Sequence, residues 1–185
     1  MKKGWLLANV LALLIMLTGV AGCNNETPAE PESPAEVTPT PPPIKPSFNF
    51  IFRYGIMGKN ILDTFQGTYS KDMIIDPNIV IKLSLSPEEM DRIFEKMVEI
   101  DFFDYPERFR VSVPPGETLG MQTPHSSYYF KVEYDAGTKE LWWNDDITNE
   151  DEKAAKLREL IRLIRDIVES REEYQKLPRP RGGYL

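Results

Sequence analysis

The sequence contains one histidine and one cysteine, the residue types that most often carry covalent or metal chemistry. Catalysis of the Cys–His or Ser–His–Asp kind needs a base close to the nucleophile. His125 lies in the polar segment 123–127, where an exposed loop histidine is the usual case and a role in a site is the alternative. One histidine and one cysteine exclude an ordinary zinc site, and no Gly-rich phosphate loop is present. We therefore predict neither a metal nor a cofactor.

Paired carboxylates are the second type of residue that could do chemistry. Asp101 and Asp104 follow a predicted helix, and Asp72 and Asp76 flank a predicted turn. A glycosidase needs two such groups in a cleft at a set separation. Acidic pairs are also common in a chain with 29 Asp and Glu residues, so a small hydrolase is only an alternative. The acidic run 145–152 lacks the spacing of a calcium loop, and the charge preference of a helix N-terminus explains it.

Adjacent aromatic residues indicate a binding surface. Trp142 and Trp143 are neighbours in a predicted strand, so their side chains point to opposite faces of the sheet. One is expected in the core, and the other is exposed unless both faces are covered. Tyr128 and Tyr129 raise the same question, and exposed rings of this kind bind glycans or protein partners. The candidate surface comprises Tyr128, Trp142, Trp143 and His125, with core packing as the alternative explanation.

The N-terminus has the three parts of an export signal. Lys2 and Lys3 precede the apolar stretch 5–17, and the small-residue segment 18–22 follows it. This order of positive, apolar and small residues is typical of a secretory signal peptide. We therefore predict that residues 1–22 are a signal peptide that directs the protein out of the cytoplasm.

Val20-Ala21-Gly22-Cys23 resembles the lipobox of bacterial lipoproteins, although Val20 stands where that family usually has Leu. In that family a diacylglyceryl thioether forms on the cysteine, and the leader is cut just before it. The resemblance implies that Cys23 carries palmitate-type acyl chains that anchor the protein to the cell membrane on its extracytoplasmic side. Two alternatives are an uncleaved membrane helix over 4–22 and an incidental thiol after ordinary cleavage.

A proline-rich spacer is predicted between the cysteine and the folded domain. Segment 24–47 contains eight prolines and four glutamates, which prevent both helix and sheet formation. We predict that residues 23–47 are disordered and extended, with a reach of about 70 Å. Such a segment would lift the domain away from the membrane, whereas a proline-rich ligand for a partner is the alternative.

The bulk composition limits the remaining possibilities. The chain has 185 residues, of which 41% are hydrophobic and 28% charged, and its formal net charge is -7. Removing Lys2 and Lys3 with the leader makes that charge about -9. A strongly acidic chain repels phosphate backbones, which argues against a nucleic-acid partner. Residues 48–185 are long enough for a single globular domain with one modest core.

Hydrophobic alternation predicts most of the strands. Residues 48–54, 61–69, 71–75 and 79–85 have strand patterns, with Asp76-Pro77-Asn78 as a turn between the last two. Tyr128–Tyr134 and Lys139–Trp143 are predicted to form a hairpin around residues 135–138. Segment 107–126 has no periodicity and contains several Pro and Gly residues, so we expect a long loop that is either functional or mobile.

Two helices are predicted from their start signals. Ser86-Pro87-Glu88-Glu89 contains a capping box, and apolar residues follow it at helical spacing. The second helix is expected to begin at Thr148 or Asn149 and to carry an apolar stripe from Ala154 to Val168. The sequence therefore predicts an α+β domain, with an antiparallel sheet of about five or six strands and two helices packed on one face in two layers.

The leading functional hypothesis is a non-catalytic binding lipoprotein of the bacterial envelope. The pattern of strands, Ser-Pro-Glu-Glu helix and Phe102-Phe103-Asp104-Tyr105-Pro106 loosely resembles small uncharacterised domains attached to bacterial lipoproteins. Those families imply no activity. The expected partner is an envelope protein or glycan, which the aromatic hairpin and the loop 107–126 would contact. The alternatives are a small envelope hydrolase that uses Asp and Glu, and a lipoprotein that inhibits an enzyme with its long loop.

Overall fold

A computed structural model describes residues 47–184 of the chain. The predicted signal peptide 1–22, the lipidation site Cys23, the spacer up to residue 46 and the terminal Leu185 lie outside the described residues. Their assignments stay predictions. Between residues 47 and 184, no helix is both long enough and apolar enough to cross a membrane.

Seven strands form one mixed but mostly antiparallel sheet, which confirms an α+β fold. The strand order is β4-β3-β2-β1-β6-β7-β5, and the pairing of β5 with β7 is parallel. The predicted number of five or six strands is too low. The strands are β1 Phe48–Tyr54, β2 Asn60–Asp63, β3 Thr68–Met73, β4 Asp76–Lys82, β5 Arg108–Phe109, β6 Ser127–Tyr134 and β7 Gly137–Asn144.

Two of the predicted strand boundaries are wrong. The single strand predicted over 61–69 is a hairpin, because the chain turns between β2 and β3 with Gly67 at a φ of 61°. The Asp63 carboxylate accepts a hydrogen bond from the Gln66 amide at 3.1 Å and supports this turn. The turn predicted at residues 76–78 falls instead at Ile74 and Ile75. Pro77 lies within β4, an edge strand in which its missing N–H group is tolerated.

The hairpin of β6 and β7 is confirmed and is tighter than predicted. Tyr134 pairs with Gly137, so only two residues, Asp135 and Ala136, form the connection. Asp135 has a φ of 48°, the left-handed conformation that two-residue hairpin turns require. The short turn fixes the register of the whole hairpin, including the pairing of Tyr129 with Trp142.

Both predicted helices are present. α1 spans Pro87–Glu99 and begins with the predicted capping box, in which the Ser86 hydroxyl accepts from the Glu89 amide and the Glu89 carboxylate accepts from the Ser86 amide. α2 spans Glu152–Ser170, and its N-cap is Asp151 rather than Thr148 or Asn149. Asp151 is the N-cap because its carboxylate accepts a hydrogen bond from the Ala154 amide at 2.8 Å. A four-residue helix, α3 Glu172–Gln175, follows.

The core forms where alternate residues of the sheet meet the apolar faces of α1 and α2. Even-numbered residues of β1 belong to it, and the Phe48 ring lies 5.1 Å from the Phe94 ring of α1. The stripe of α2 is buried as predicted. Fully buried members of this core include Phe50, Phe52, Leu62, Ile93, Met97, Phe102, Phe130, Val132, Leu141, Leu157, Leu160 and Ile164.

The segment 107–126 is anchored to the rest of the domain. It contains the short strand β5, and Val111 is buried in the core. Farther along, the Gly120 amide donates to Asn149 Oδ1 at 2.8 Å, and the Gln122 amide donates to the Asp146 carbonyl at 2.8 Å. These contacts hold the segment beside residues 145–149 and give it a defined path.

Candidate functional site

Trp142 and Trp143 lie on opposite faces of β7, as the alternation of a strand requires. Trp143 is 2% exposed and belongs to the core, whereas Trp142 is 41% exposed. The expectation that one tryptophan is buried and the other exposed is therefore confirmed. The side chain that can meet a partner is Trp142.

The same geometry corrects the rest of the predicted surface. Trp143 is unavailable because it is buried, and the ring of Tyr128 packs 5.3 Å from it on the core side. Burial raises the pKa of Tyr128, consistent with this position. His125 is partly buried and precedes β6, away from the Trp142 ring pair. Tyr129, which the sequence left undecided, is the partner of Trp142, and their ring centroids are 4.1 Å apart.

The paired registers place Trp142 in a line of residues that crosses the whole sheet. Each member pairs directly with the next across neighbouring strands. Seven strands at a spacing of about 4.8 Å make this line about 29 Å long. We call it the aromatic row, and its members in order are Arg108, Trp142, Tyr129, Arg53, Ile61, Ser70 and Val80.

The aromatic row combines exposed apolar surface with positive charge. Two arginines, Arg53 and Arg108, occupy the places on either side of the Tyr129–Trp142 ring pair. A hollow of about 240 Å³ lies beside the pair and is lined in part by Arg53 and Met57. Met57 is 71% exposed, and its φ of 58° belongs to the tight turn after β1. This turn adds a flexible apolar side chain to the rim of the hollow.

Tyr129 provides a hydrogen-bonding group in this surface. Burial and the nearby Glu140 carboxylate raise the pKa of Tyr129. The protonated phenol hydrogen-bonds to the Glu140 carboxylate, which leaves its oxygen as an acceptor and its ring face for a ligand. Tyrosine and tryptophan each present a large ring with one polar tip, the combination found where one side of a contact is apolar and the other is wet.

A partly buried ion pair lies on the core side of the hairpin that carries the row. The Arg158 guanidinium of α2 donates to both Asp145 carboxylate oxygens, at 2.6 and 3.1 Å, and Asp145 is 8% exposed. The same guanidinium lies 5.2 Å from the Trp143 ring centroid. Trp143 also packs edge-on against Phe109 of β5 at 5.5 Å. The strand that carries Trp142 is therefore fixed to α2 and β5 through its neighbour Trp143.

Two of the four carboxylates noted in the sequence, Asp72 and Asp76, have side-chain partners. Asp101 and Asp104 are exposed around the short 3-10 turn Phe102–Asp104. Asp76 forms an ion pair with Arg181, which lowers the pKa of the Asp76 carboxyl. Lys156 and Lys96 lower the pKa of Glu152 and Glu159 in the same way. These lowered pKa values favour the ionised form of each carboxylate, whereas a carboxyl group that acts as a catalytic general acid needs a raised pKa.

The acidic segment 145–152 serves the domain's own hydrogen bonds. Asp145 binds Arg158, Asn149 accepts from the Gly120 amide, and Asp151 caps α2. Among residues 47–184, no group of three or more His, Cys, Asp or Glu side chains is arranged to hold a metal ion. Asp145, Asn149 and Asp151 therefore have structural roles in the domain.

Comparison with protein-family models, with curated proteins and with solved structures finds no match for this chain.

Proposed function

We propose that this protein is a bacterial envelope lipoprotein that binds a partner through the aromatic row. In this proposal the lipid on Cys23 holds the chain at the extracytoplasmic side of the cell membrane. Residues 24–46 then connect the anchor to the folded domain. The observation that carries the binding proposal is the exposed Tyr129–Trp142 ring pair between two arginines.

A two-layer arrangement of the domain supports the accessibility of this row. We infer that α1 and α2 form one layer against the sheet face that contains Phe50, Phe52 and Trp143. The row then lies on the opposite, helix-free face. Val80, at one end of the row, is 65% exposed, as expected for a face that no helix covers. Such a face can accept a broad partner without rearrangement of the core.

The residue types of the row favour a contact with a partner molecule. Tryptophan, tyrosine and arginine are the side chains that most often dominate the binding energy of interfaces. Arg53 and Arg108 place a positive charge on each side of the ring pair, on a chain whose formal net charge is -7. An acidic envelope protein or an acidic glycan is the partner that these charges suit best.

Site-directed photo-crosslinking in cells tests the proposal. Glu140 pairs with Lys131 and lies two residues from Trp142 along β7. A photoreactive residue at this position would lie close to the ring pair and leave both rings in place. We expect a specific adduct at this position and none from a matched position at Val98 of α1, which is 54% exposed. Digestion of the adduct with protease or with a glycan hydrolase then identifies the class of partner. Equal adducts from both positions would refute a specific surface.

The anchor has its own experiment. Cys23→Ser removes the atom that would carry the diacylglyceryl group, so the variant should leave the membrane fraction or retain its leader. The measurement is fractionation together with the mass of the processed chain. A variant with the wild-type distribution and mass would refute lipidation and favour one of the two alternatives for residues 1–23.

Enzyme inhibition is the second candidate function, and the loop 107–126 favours it. Leu119 and Met121 are 52% and 65% exposed, although backbone hydrogen bonds hold the loop at Gly120 and Gln122. A fixed loop with exposed apolar side chains is suited to insertion into a partner's cleft. The double variant Leu119→Ser/Met121→Ser should abolish inhibition, whereas Trp142→Ala should leave it intact. The opposite pattern would favour the aromatic row.

A hydrolase that uses two carboxylates receives less support from the geometry. Asp72 and Glu169 both line one cavity of about 630 Å³, but each has another partner. Asp72 accepts a hydrogen bond from the Tyr184 hydroxyl at 2.5 Å, and Glu169 pairs with Arg165 at 3.2 Å. A catalytic pair would instead share a cleft at a separation that fits the scissile bond.

A further inference from the structure

A cavity lies near the C-terminal end of α2 and is separate from the aromatic row. Its volume of about 630 Å³ falls within the range of small-molecule sites. One wall comes from β1 and β3, through Tyr54, Tyr69 and Lys71, and another from α2 and the chain that follows it. Tyr54, Tyr69 and Lys71 were not singled out in the sequence, because the elements that form this cavity are far apart along the chain.

Lys71 is the notable cation of this cavity. Lys71 is 8% exposed, and its Nζ donates a hydrogen bond to the neutral carbonyl of Pro178 at 3.1 Å. The same atom lies 4.6 Å from the centroid of the Tyr174 ring. Neither of these two contacts within the described part of the chain is made to a carboxylate. The Glu169 carboxylate lies on the same cavity. Burial accordingly lowers the pKa of Lys71.

A buried ammonium without its own carboxylate is costly, since a charge in the interior needs a paired opposite charge. Arg165 of α2, another cation on this cavity, is already paired with Glu169. The lining carries three cations, Lys71, Arg165 and Arg179, and two carboxylates, Asp72 and Glu169, so one positive charge is in excess. An anionic group that entered the cavity beside Lys71 would balance this charge. The cavity therefore favours a ligand with a carboxylate or a phosphate.

Tyrosines provide the remaining polar surface of the cavity. The hydroxyl oxygens of Tyr54 and Tyr69 are 2.7 Å apart, and either can be the donor. The Tyr69 ring also lies 5.6 Å from the Tyr174 ring. Paired hydroxyls can exchange hydrogen bonds with ligand hydroxyls, and aromatic faces pack against the apolar faces of sugar rings. These features suit a hydroxylated ring.

The C-terminal segment closes one side of the cavity. Arg181 forms two hydrogen bonds with the Asp76 carboxylate, and Arg181 also pairs with Ile74 beside β3. Tyr184 donates to Asp72 at 2.5 Å and accepts from Lys59 Nζ at 2.9 Å. These contacts hold residues 178–184 at the edge of the cavity, so this wall is part of the folded domain.

We propose that this cavity binds a small hydroxylated ring that carries one anionic group, with Lys71 as the residue that pairs with the anion. A sugar phosphate and a sugar carboxylate share this chemistry, and both are tested. The site is independent of the aromatic row, so its failure would leave the proposed partner contact untouched.

Titration calorimetry with three probes on the full chain in detergent tests the proposal. The probes are glucose 6-phosphate, glucuronate and uncharged glucose, each at up to about 10 mM, tenfold above a Kd of roughly 1 mM. We expect at least one of the two anionic probes to bind, and glucose to bind at least about tenfold more weakly. Absence of binding by both anions would overturn the proposal.

Three lysine variants separate charge from packing. Lys71→Met keeps the aliphatic stem and removes the charge, so anion affinity should fall at least about tenfold. Lys71→Arg keeps the charge and should retain binding, and Lys82→Met, at an exposed lysine of β4, is the matched control. If Lys71→Met binds as well as wild type, the assignment is wrong. If Lys71→Met does not fold, the changes in NMR amide chemical shifts that the anionic probes cause in the wild-type protein decide the question. Changes confined to residues other than 54, 69, 71 and 174 would overturn the proposal.

Discussion

The rings of Tyr129 and Trp142 lie 4.1 Å apart, on directly paired residues of β6 and β7. Tyr128 and Trp143, the next pair along the same hairpin, lie on the opposite face, with ring centroids 5.3 Å apart. Two adjacent cross-strand pairs of the same chemical type therefore have different roles. The first is available to a partner, and the second holds the hairpin in the core.

The two tryptophans should differ sharply in their contribution to stability. Trp143→Ala empties a packed core position and should lower the free energy of unfolding by about 3–5 kcal/mol. Trp142→Ala loses mainly the contact with Tyr129, worth about 1 kcal/mol. Urea denaturation followed by circular dichroism measures both values. Equal losses would contradict the assigned faces of β7.

The Asp145–Arg158 pair should be important for the hairpin because Asp145 is nearly inaccessible to water. Asp145→Ala leaves the guanidinium without its carboxylate beside Trp143, and we expect a loss of about 2 kcal/mol. The exposed helix pair Lys156–Glu152 of α2 is the control. Its removal by Lys156→Ala should cost about 0.5 kcal/mol or less. A double-mutant cycle on Asp145 and Arg158 without measurable coupling would contradict the geometry.

Alkaline pH should destabilise the domain through its buried tyrosines. Burial raises the pKa of Tyr54 from 10.0 to about 12, and it also raises the pKa of Tyr69. Because the folded state holds the Tyr54 proton more tightly than the unfolded state, this contribution to stability is complete below pH 10. It is lost as the pH rises from 10 towards 12, at up to about 1.4 kcal/mol per pH unit.

Tyr54→Phe provides the test of this pH dependence. The variant lacks the titrating phenol, so its free energy of unfolding should fall less steeply than that of the wild type above pH 10. At pH 8 the comparison reports only the lost hydrogen bond with Tyr69, about 1 kcal/mol. Parallel curves for the two proteins from pH 8 to 11.5 would show that Tyr54 does not carry the effect.

Local signals in the sequence predict those parts of the fold in which one interaction dominates. Ser86 and Glu89 form their capping box between residues three positions apart, so the start of α1 can be found without tertiary information. The stripe of α2 and the hairpin of β6 and β7 are found for the same reason. Two-residue alternation also predicts that Trp142 and Trp143 separate, although it does not say which of them is buried.

Long-range contacts determine the elements that the sequence misses. The turn at Ile74 needs a φ of 65°, which is unusual for a β-branched residue. Arg181, more than 100 residues later in the chain, forms a β-bridge with Ile74 and an ion pair with Asp76. The two-residue strand β5 exists only through its parallel pairing with β7. The cavity around Lys71 likewise joins β3 to residues more than 100 positions later in the chain.

Capture of the partner by the wild type and by a Trp142 variant is the most direct test of the central claim. The measurement is the yield of the crosslinked adduct in cells for Trp142→Ala, with Val98→Ala as an exposed apolar control on α1. Both variants should be folded and present at the wild-type level. We predict that Trp142→Ala loses at least about nine-tenths of the adduct, as expected for an interface residue worth about 1.4 kcal/mol or more, and that Val98→Ala keeps it. An undiminished adduct from Trp142→Ala would contradict the aromatic row as the binding surface.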